Sequence, residues 1–396
     1  MLSKLPSPVW ALAALTCLGC APTPPTPEAT PADIEAVTPE RAAELEQRFD
    51  ELLDRLGVVT AGVGVIQAGE LTWTGYYGEQ SPGVPASRET LFDVASMTKP
   101  VAAETILRLA STGALSLDEP MAPHWVDPDI AEDPRHLRLT ARMALNHSTG
   151  FPNWRFFMDD GQLQFIEEPG TAYGYSGEGF DYAMRWAEAK LGQDFPTLVA
   201  KQVFEPVGMR GVTLAVQPAL FGRIARPVDA EGTFHGHYCR PNGWCRDEGD
   251  YTAADDLRVT VEDYAKFLIS AMDGDGLRPD VLAERNSVRV DQGNDVVFDC
   301  GENPEEPCPK AQGYGLGWEV LDYGDYKVIG HGGSDWSEVT LGYFYSRSRD
   351  GLLLFFNAPN LAAMGAMSEA LPWFDPDSPY VGQYRRWYQE SLDRSP

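Results

Sequence analysis

Apolar positions along this chain switch between helical and strand periods, and the switches outline its elements. Leu45, Phe49, Leu52, Leu53 and Leu56 recur at helical spacing. They follow Thr38-Pro39-Glu40, a cap residue, a proline at the first position and an acid in the first turn, so an amphipathic helix is expected to end at Gly57. Residues 58–66 and 71–77 are rich in β-formers and join around Gln67-Ala68-Gly69-Glu70, which reads as a hairpin. Gly62 and Gly64 hint at a dinucleotide loop, but the third glycine is missing and no helix follows. Helical spacing continues past Ser96 to Gly113, returns in short pieces broken by Pro and Gly over 121–168, and is regular over 180–191, 261–272 and 361–370. Residues 326–329, 339–345 and 352–357 read as strands, with a glycine-rich turn at 330–336 between the first two. A helix and hairpin, then a helical middle, then strands and a closing helix predict an α+β fold.

Composition narrows the function. The chain has 396 residues, 43% of them hydrophobic, enough for one large domain, and its net charge of −28 argues against nucleic acid, whose phosphates need clustered Lys and Arg. Lys4, the apolar run 9–18, Gly19 and Cys20 resemble a lipoprotein signal with Cys20 as the lipidated residue, although Cys17 and the single basic residue depart from that pattern. An ordinary secretory signal is the alternative. Either way the protein is expected to be exported, as a periplasmic or cell-surface lipoprotein or in secreted form, touching a membrane only through its lipid. Residues 21–38, rich in Pro, Thr, Ala and Glu, read as a disordered tether, and residues 376–396 as a C-terminal extension. In an oxidising compartment Cys239 and Cys245, and Cys300 and Cys308, are expected to form two short-loop disulfides. A zinc site using His235 and His237 is the alternative, but its spacing fits no common site.

The candidate chemistry centres on residues 91–100, Leu-Phe-Asp-Val-Ala-Ser-Met-Thr-Lys-Pro. Ser96 and Lys99 stand three apart, so on a helix the amine can reach the hydroxyl and accept its proton. Only Lys, never Arg, can lose its own proton to act as that base. No other lysine follows a serine at this spacing. A surface helix capped by Ser96 fits the same stretch.

Two later segments favour chemistry. Pro169-Gly170-Thr171-Ala172-Tyr173-Gly174-Tyr175-Ser176-Gly177 is a tight glycine-rich loop, and Gly330-His331-Gly332-Gly333 places a histidine between glycines that admit close approach. Ser96, Tyr175 and His331 in this order, with residues 146–154 and Phe204-Glu205-Pro206-Val207-Gly208-Met209, resemble the serine β-lactamase-related hydrolases: class C β-lactamases, DD-peptidases, D-aminopeptidases and serine carboxylesterases. The resemblance covers residues 40–370. It implies an antiparallel sheet built from both chain ends, flanked by helices, with a mainly helical subdomain over about residues 100–310, the catalytic domain spanning 39–375. It also implies Ser96 as nucleophile, Lys99 as its base, Tyr175 as proton shuttle and His331 in the place of the family's lysine. Gly332 and Gly333 would border the substrate, and the backbone N–H groups of Ser96 and Ser334 would form the oxyanion hole. No metal or cofactor is implied, and the partner is a small ester, amide or peptide.

Physical chemistry sets a condition on that assignment. Bringing a lysine from its free pKa to near 7 requires roughly 5 kcal/mol, and a helix terminus supplies only about 0.3–1 kcal/mol, so Lys99 must be buried. A protonated His331 would act in the same direction and favour a phenolate at Tyr175. Gly177 stands where the family has an asparagine that contacts the β-lactam side chain, and Gly332 lacks the threonine hydroxyl that contacts the substrate carboxylate. Both favour an esterase or peptidase over an efficient β-lactamase. His147, in Asn146-His147-Ser148-Thr149-Gly150, is read as structural. An α/β-hydrolase using Ser176 fails because Glu178 breaks the Gly-x-Ser-x-Gly elbow. A binding protein without turnover would not need Ser, Lys, Tyr and His together.

Overall fold

The structure, a computed structural model, describes residues 34–293, 295–301 and 308–394. The leader expected over 1–20, with Cys20, and most of the tether lie outside the described residues. In chain order the elements are α1 (Pro39–Leu56), β1 (Thr60–Gln67), β2 (Glu70–Ser81), β3 (Val84–Pro85), β4 (Phe92–Asp93), α2 (Thr98–Ser111), α3 (Ala141–Leu145), α4 (Gly177–Leu191), α5 (Phe195–Val199) and α6 (Glu205–Val207). There follow β5 (Val212–Thr213), β6 (Arg258–Val259), α7 (Val261–Asp273), α8 (Pro279–Arg285), β7 (Ala311–Tyr314), β8 (Glu319–Asp322), β9 (Lys327–Asp335), β10 (Glu338–Tyr345), β11 (Gly351–Asn357), α9 (Asn360–Phe374) and α10 (Tyr380–Arg394).

Eight strands form one antiparallel sheet in the order β3-β2-β1-β11-β10-β9-β8-β7. The two ends of the chain meet at its centre, where Thr60 pairs with Asn357 and Ile66 with Gly351. Apolar side chains from α1 and α9, such as Phe49 and Leu371, pack on one face. On the other, Phe92, Met97 and Tyr264 join the helical middle to the sheet. Gly62 and Gly64 serve this second face: a Cβ at either would sit 2.8 or 2.9 Å from Val261, so they let α7 pack tightly on the sheet. A small sheet in the order β4-β6-β5 sets Asp93 opposite Arg258.

The expected elements form with shifted boundaries. Thr38 caps α1 by accepting the Arg41 N–H at 3.2 Å, and Ala68 and Gly69, both at positive φ, turn the hairpin. The tether ends sooner than its composition suggests, because Ile34 is buried and the Glu35 N–H donates to the Phe374 carbonyl. Residues 327–335 form a strand through the glycines read as a turn. Strand period is invisible where every second residue lacks a side chain, and pairing with β10 supplies what the pattern omits. Within the segment past 375, Tyr380–Arg394 form α10, packed on α9. Cys239 is bonded to Cys245 and Cys300 to Cys308, and His235 pairs with Asp229, so those cysteines are not zinc ligands.

Candidate active site

Ser96 sits at the entry to α2, on a turn held from several sides. Ala95 before it adopts φ 44°, a left-handed conformation that a β-carbon disfavours. Asp93 holds it there by accepting the Ala95 N–H at 3.0 Å, while Arg258 pairs with the same carboxylate. The Thr340 hydroxyl donates to the Val94 carbonyl at 2.9 Å, Thr98 to the Ala95 carbonyl at 2.7 Å, and Tyr264 to the Met97 carbonyl at 2.9 Å. Ser96 is thereby left partly exposed at the start of a helix, where backbone N–H groups have no intrahelical acceptor.

Lys99 meets the burial condition, with no solvent exposure. Its Nζ lies 2.9 Å from Ser96 Oγ and donates to the Ala254 carbonyl at 3.0 Å. Burial brings its pKa down to about 8, while the nearby Asp255 and Asp181 hold it from falling further. Asp181 also accepts the Ala253 N–H at 2.8 Å and so fixes the segment that offers the Ala254 carbonyl.

The Tyr175 ring lies 4.8 Å beneath Lys99 Nζ, and Ser96 lies near enough to its hydroxyl to temper its pKa. Burial raises the phenol well above its usual range, so it stays protonated at neutral pH. His147 shapes this loop: at φ 58° its ring packs 4.4 Å from that of Tyr175, and its Nδ1 accepts the Ser176 N–H at 3.0 Å. The structural role expected of His147 is thus specific, the placing of Tyr175.

His331 departs from expectation. Burial and the Lys99 charge push its pKa down to about 3, so it is neutral and cannot favour a phenolate. Its Nδ1 lies 2.5 Å from the Gly332 carbonyl, which can only accept, so Nδ1 carries the proton and Nε2 accepts from the Tyr314 hydroxyl at 2.8 Å. Tyr314 was not legible beforehand, because only the pairing of β7, β8 and β9 brings it to His331.

The glycines of β9 have different tasks. A Cβ on Gly333 would lie 2.2 Å from the Val94 carbonyl oxygen, so its absence lets β9 close on the Ser96 turn. A Cβ on Gly332 would instead meet the Tyr384 hydroxyl of α10 at 2.7 Å. Ser334, expected to offer an N–H to the oxyanion, lies at the exposed end of β9, and its side chain accepts from Asn360 at 2.8 Å. A Cβ on Gly177, at the start of α4, would lie 2.5 Å from Trp154, whose indole fills the space a longer side chain would need.

Ser96, Tyr175, His331, Gly332, Gly333 and Ser334 line a single cavity of 590 Å³. Trp154, Phe156 and Phe157 form part of its wall, and α10 adds Gln383, Arg386 and Trp387. The aromatic turn is pinned by Arg155, which pairs with Asp127, Asp129 and Glu178.

A model of the Beta-lactamase family matches residues 45–368. Among curated proteins the chain is 29% identical over 202 residues to esterase EstB of Burkholderia gladioli, covering 43% of this chain and 50% of the esterase. It is 27% identical over 318 residues to a D-aminopeptidase of Gluconobacter oxydans, covering 74% of this chain and 54% of that protein. The chain therefore spans about half the length of these relatives. Among solved structures, the octameric penicillin-binding protein homologue of Pyrococcus abyssi superposes with a TM-score of 0.66 at 19% identity, over 87% of this chain and 80% of that one. With the family's model matching residues 45–368, and with Ser96 and Tyr175 lining one cavity beside the buried Lys99, the chain belongs to the Beta-lactamase family.

Proposed function

We propose that the protein is a serine hydrolase that cleaves small esters or amides through an acyl-enzyme, of the carboxylesterase or D-amino-acid peptidase type. The observation that carries this reading is Lys99, wholly buried and 2.9 Å from Ser96 Oγ. A lysine at about pKa 8 is neutral in about a tenth of molecules at pH 7, enough to serve as a base. Neutral Lys99 takes the Ser96 proton as Oγ attacks the carbonyl. The backbone N–H groups of Ser96 and Ser334 receive the developing oxyanion. Tyr175, a phenol throughout the neutral range, gives its proton to the leaving group and recovers one from protonated Lys99. Neutral Lys99 then takes a proton from the water that attacks the acyl group, and that proton returns to Ser96 Oγ as the acid leaves.

The β-lactamase or DD-carboxypeptidase reading is weakened by Trp154, which leaves no room at residue 177 for a side chain that would engage the β-lactam amide. The names of the similar esterase and D-aminopeptidase point the same way. A tethered binding protein without turnover is disfavoured because Lys99 would be buried beside Ser96 to no purpose. A fluorophosphonate should label Ser96, and Ser96→Ala should lose both labelling and hydrolysis of p-nitrophenyl acetate. Retained turnover in that variant would move the nucleophile elsewhere. A chromogenic cephalosporin cleaved faster than the ester would reverse the substrate ranking.

Export as a lipoprotein anchored through Cys20 belongs to the same proposal, supported by the apolar run ahead of Gly19-Cys20. Cys20→Ala should release the protein from the membrane fraction if the lipid is its anchor.

A further inference from the structure

The wall of the catalytic cavity carries charges that the acyl-transfer machinery does not use. Its arginines are engaged: Arg240 binds Asp335 through two bonds of 2.9 and 2.7 Å, and Arg386 donates to the carbonyls of Val296 and Val297. His331 is neutral, with both nitrogens bonded. Glu319 differs: among the described residues it is in no ion pair, and the side chains that act on its carboxyl, Tyr380 and Gln292, are neutral. It lies partly exposed in β8 beside His331, and burial without a counter-charge raises its carboxyl to about 7. Asp295, exposed on the same wall, adds a second carboxylate. The apolar part of the wall is ready for contact: the Phe156 ring stacks on Trp154 at 5.7 Å, and Phe156 and Phe157 are 61% and 67% exposed.

We propose that this cavity selects a cationic substrate, an ester or amide bearing an ammonium group that sits against Glu319 while its apolar portion rests on Trp154 and Phe156. The inference rests on the hydrolase reading and names its substrate class. A carboxylate left without a protein cation is stabilised by a ligand that brings one, and aromatic faces attract the same charge. An anionic substrate would meet Glu319 and Asp295 with, among the described residues, no unengaged cation in the wall to receive it.

Three p-nitrophenyl esters of matched shape test this: 4-(trimethylammonio)butyrate, its neutral carbon isostere 5,5-dimethylhexanoate, and 4-sulfobutyrate, compared at constant ionic strength. In the wild type kcat/KM should fall in that order, with the cation about 10- to 100-fold ahead of the neutral ester. Glu319→Gln should shrink the cation-to-neutral ratio at least about fivefold, and Asp295→Asn should shrink it less. As a check that needs no variant, butyltrimethylammonium should inhibit hydrolysis of the neutral ester where butanesulfonate does not. Equal rates for the three esters, or a preference for the sulfonate, would overturn this inference alone. Hydrolysis of none of them would sink the hydrolase reading and this inference with it.

Discussion

The indole of Trp154 stands against the Cα of Gly177, so close that a β-carbon there would lie 2.5 Å from the ring. The residue that most separates this chain from β-lactam recognition is thus set by packing as well as by sequence. Gly177→Asn should displace Trp154 or strain the start of α4, costing about 1–3 kcal/mol of stability and lowering ester turnover. Adding Trp154→Ala should restore the melting temperature in part and raise cephalosporin turnover above that of the wild type. Thermal melts and paired assays check this, and a Gly177→Asn protein as stable as the wild type would contradict the contact.

Lys99 governs the pH profile. Only its neutral form can take the Ser96 proton, and burial holds its pKa at about 8. Activity should therefore rise with pH through about 8 and fall about tenfold per unit on the acid side. His331, down at about 3, should add no inflection near pH 6.5. Lys99→Arg, which keeps the charge and cannot act as base, should lower kcat by about 100- to 10,000-fold while Ser96 remains in place. Measurement of kcat/KM from pH 5 to 10 would expose an error in either assignment.

Gly332 answers to α10. Its missing β-carbon makes room for the Tyr384 hydroxyl, which donates to the Thr340 carbonyl at 3.1 Å. Gly332→Ala should lower stability by about 1–3 kcal/mol, and Tyr384→Phe in the same chain should recover part of the loss by opening that space. Additive effects in the double-mutant cycle would show that the two residues do not meet.

The Tyr314 hydroxyl gives His331 its proton-accepting state. Tyr314→Phe leaves a buried Nε2 without a partner, which should cost about 1–3 kcal/mol of stability. It should also lower kcat more than KM changes, because the bond orients a ring in the cavity wall. A Tyr314→Phe enzyme with wild-type kcat would separate His331 from catalysis.

The Cys239–Cys245 bond closes a short loop that carries Arg240, which holds Asp335, and directly follows Tyr238, whose ring lies 3.9 Å from the Arg258 guanidinium. Arg258 in turn pairs with Asp93 at the Ser96 turn. Replacing both cysteines by serine should cost about 2 kcal/mol through the freed loop and reduce turnover as well as stability. Unchanged kcat with a lowered melting point would confine the loop to a structural role.

What the sequence determined by itself was local. The Ser96-to-Lys99 spacing is one helical turn, Thr38 and Gly57 bound α1 where the sequence placed them, and the apolar runs over 339–345 and 352–357 marked the central strands. The need for a buried Lys99 also followed from its free pKa alone. Other features depended on atoms far apart in the chain. The glycines of 330–333 conceal a strand because their packing partners, Val94, Tyr380 and Tyr384, come from both ends of the sequence. His331 looked able to carry charge until its surroundings were known. A pKa reflects solvent and neighbours, and only the closed sheet puts Lys99, Tyr314 and the Gly332 carbonyl around that ring.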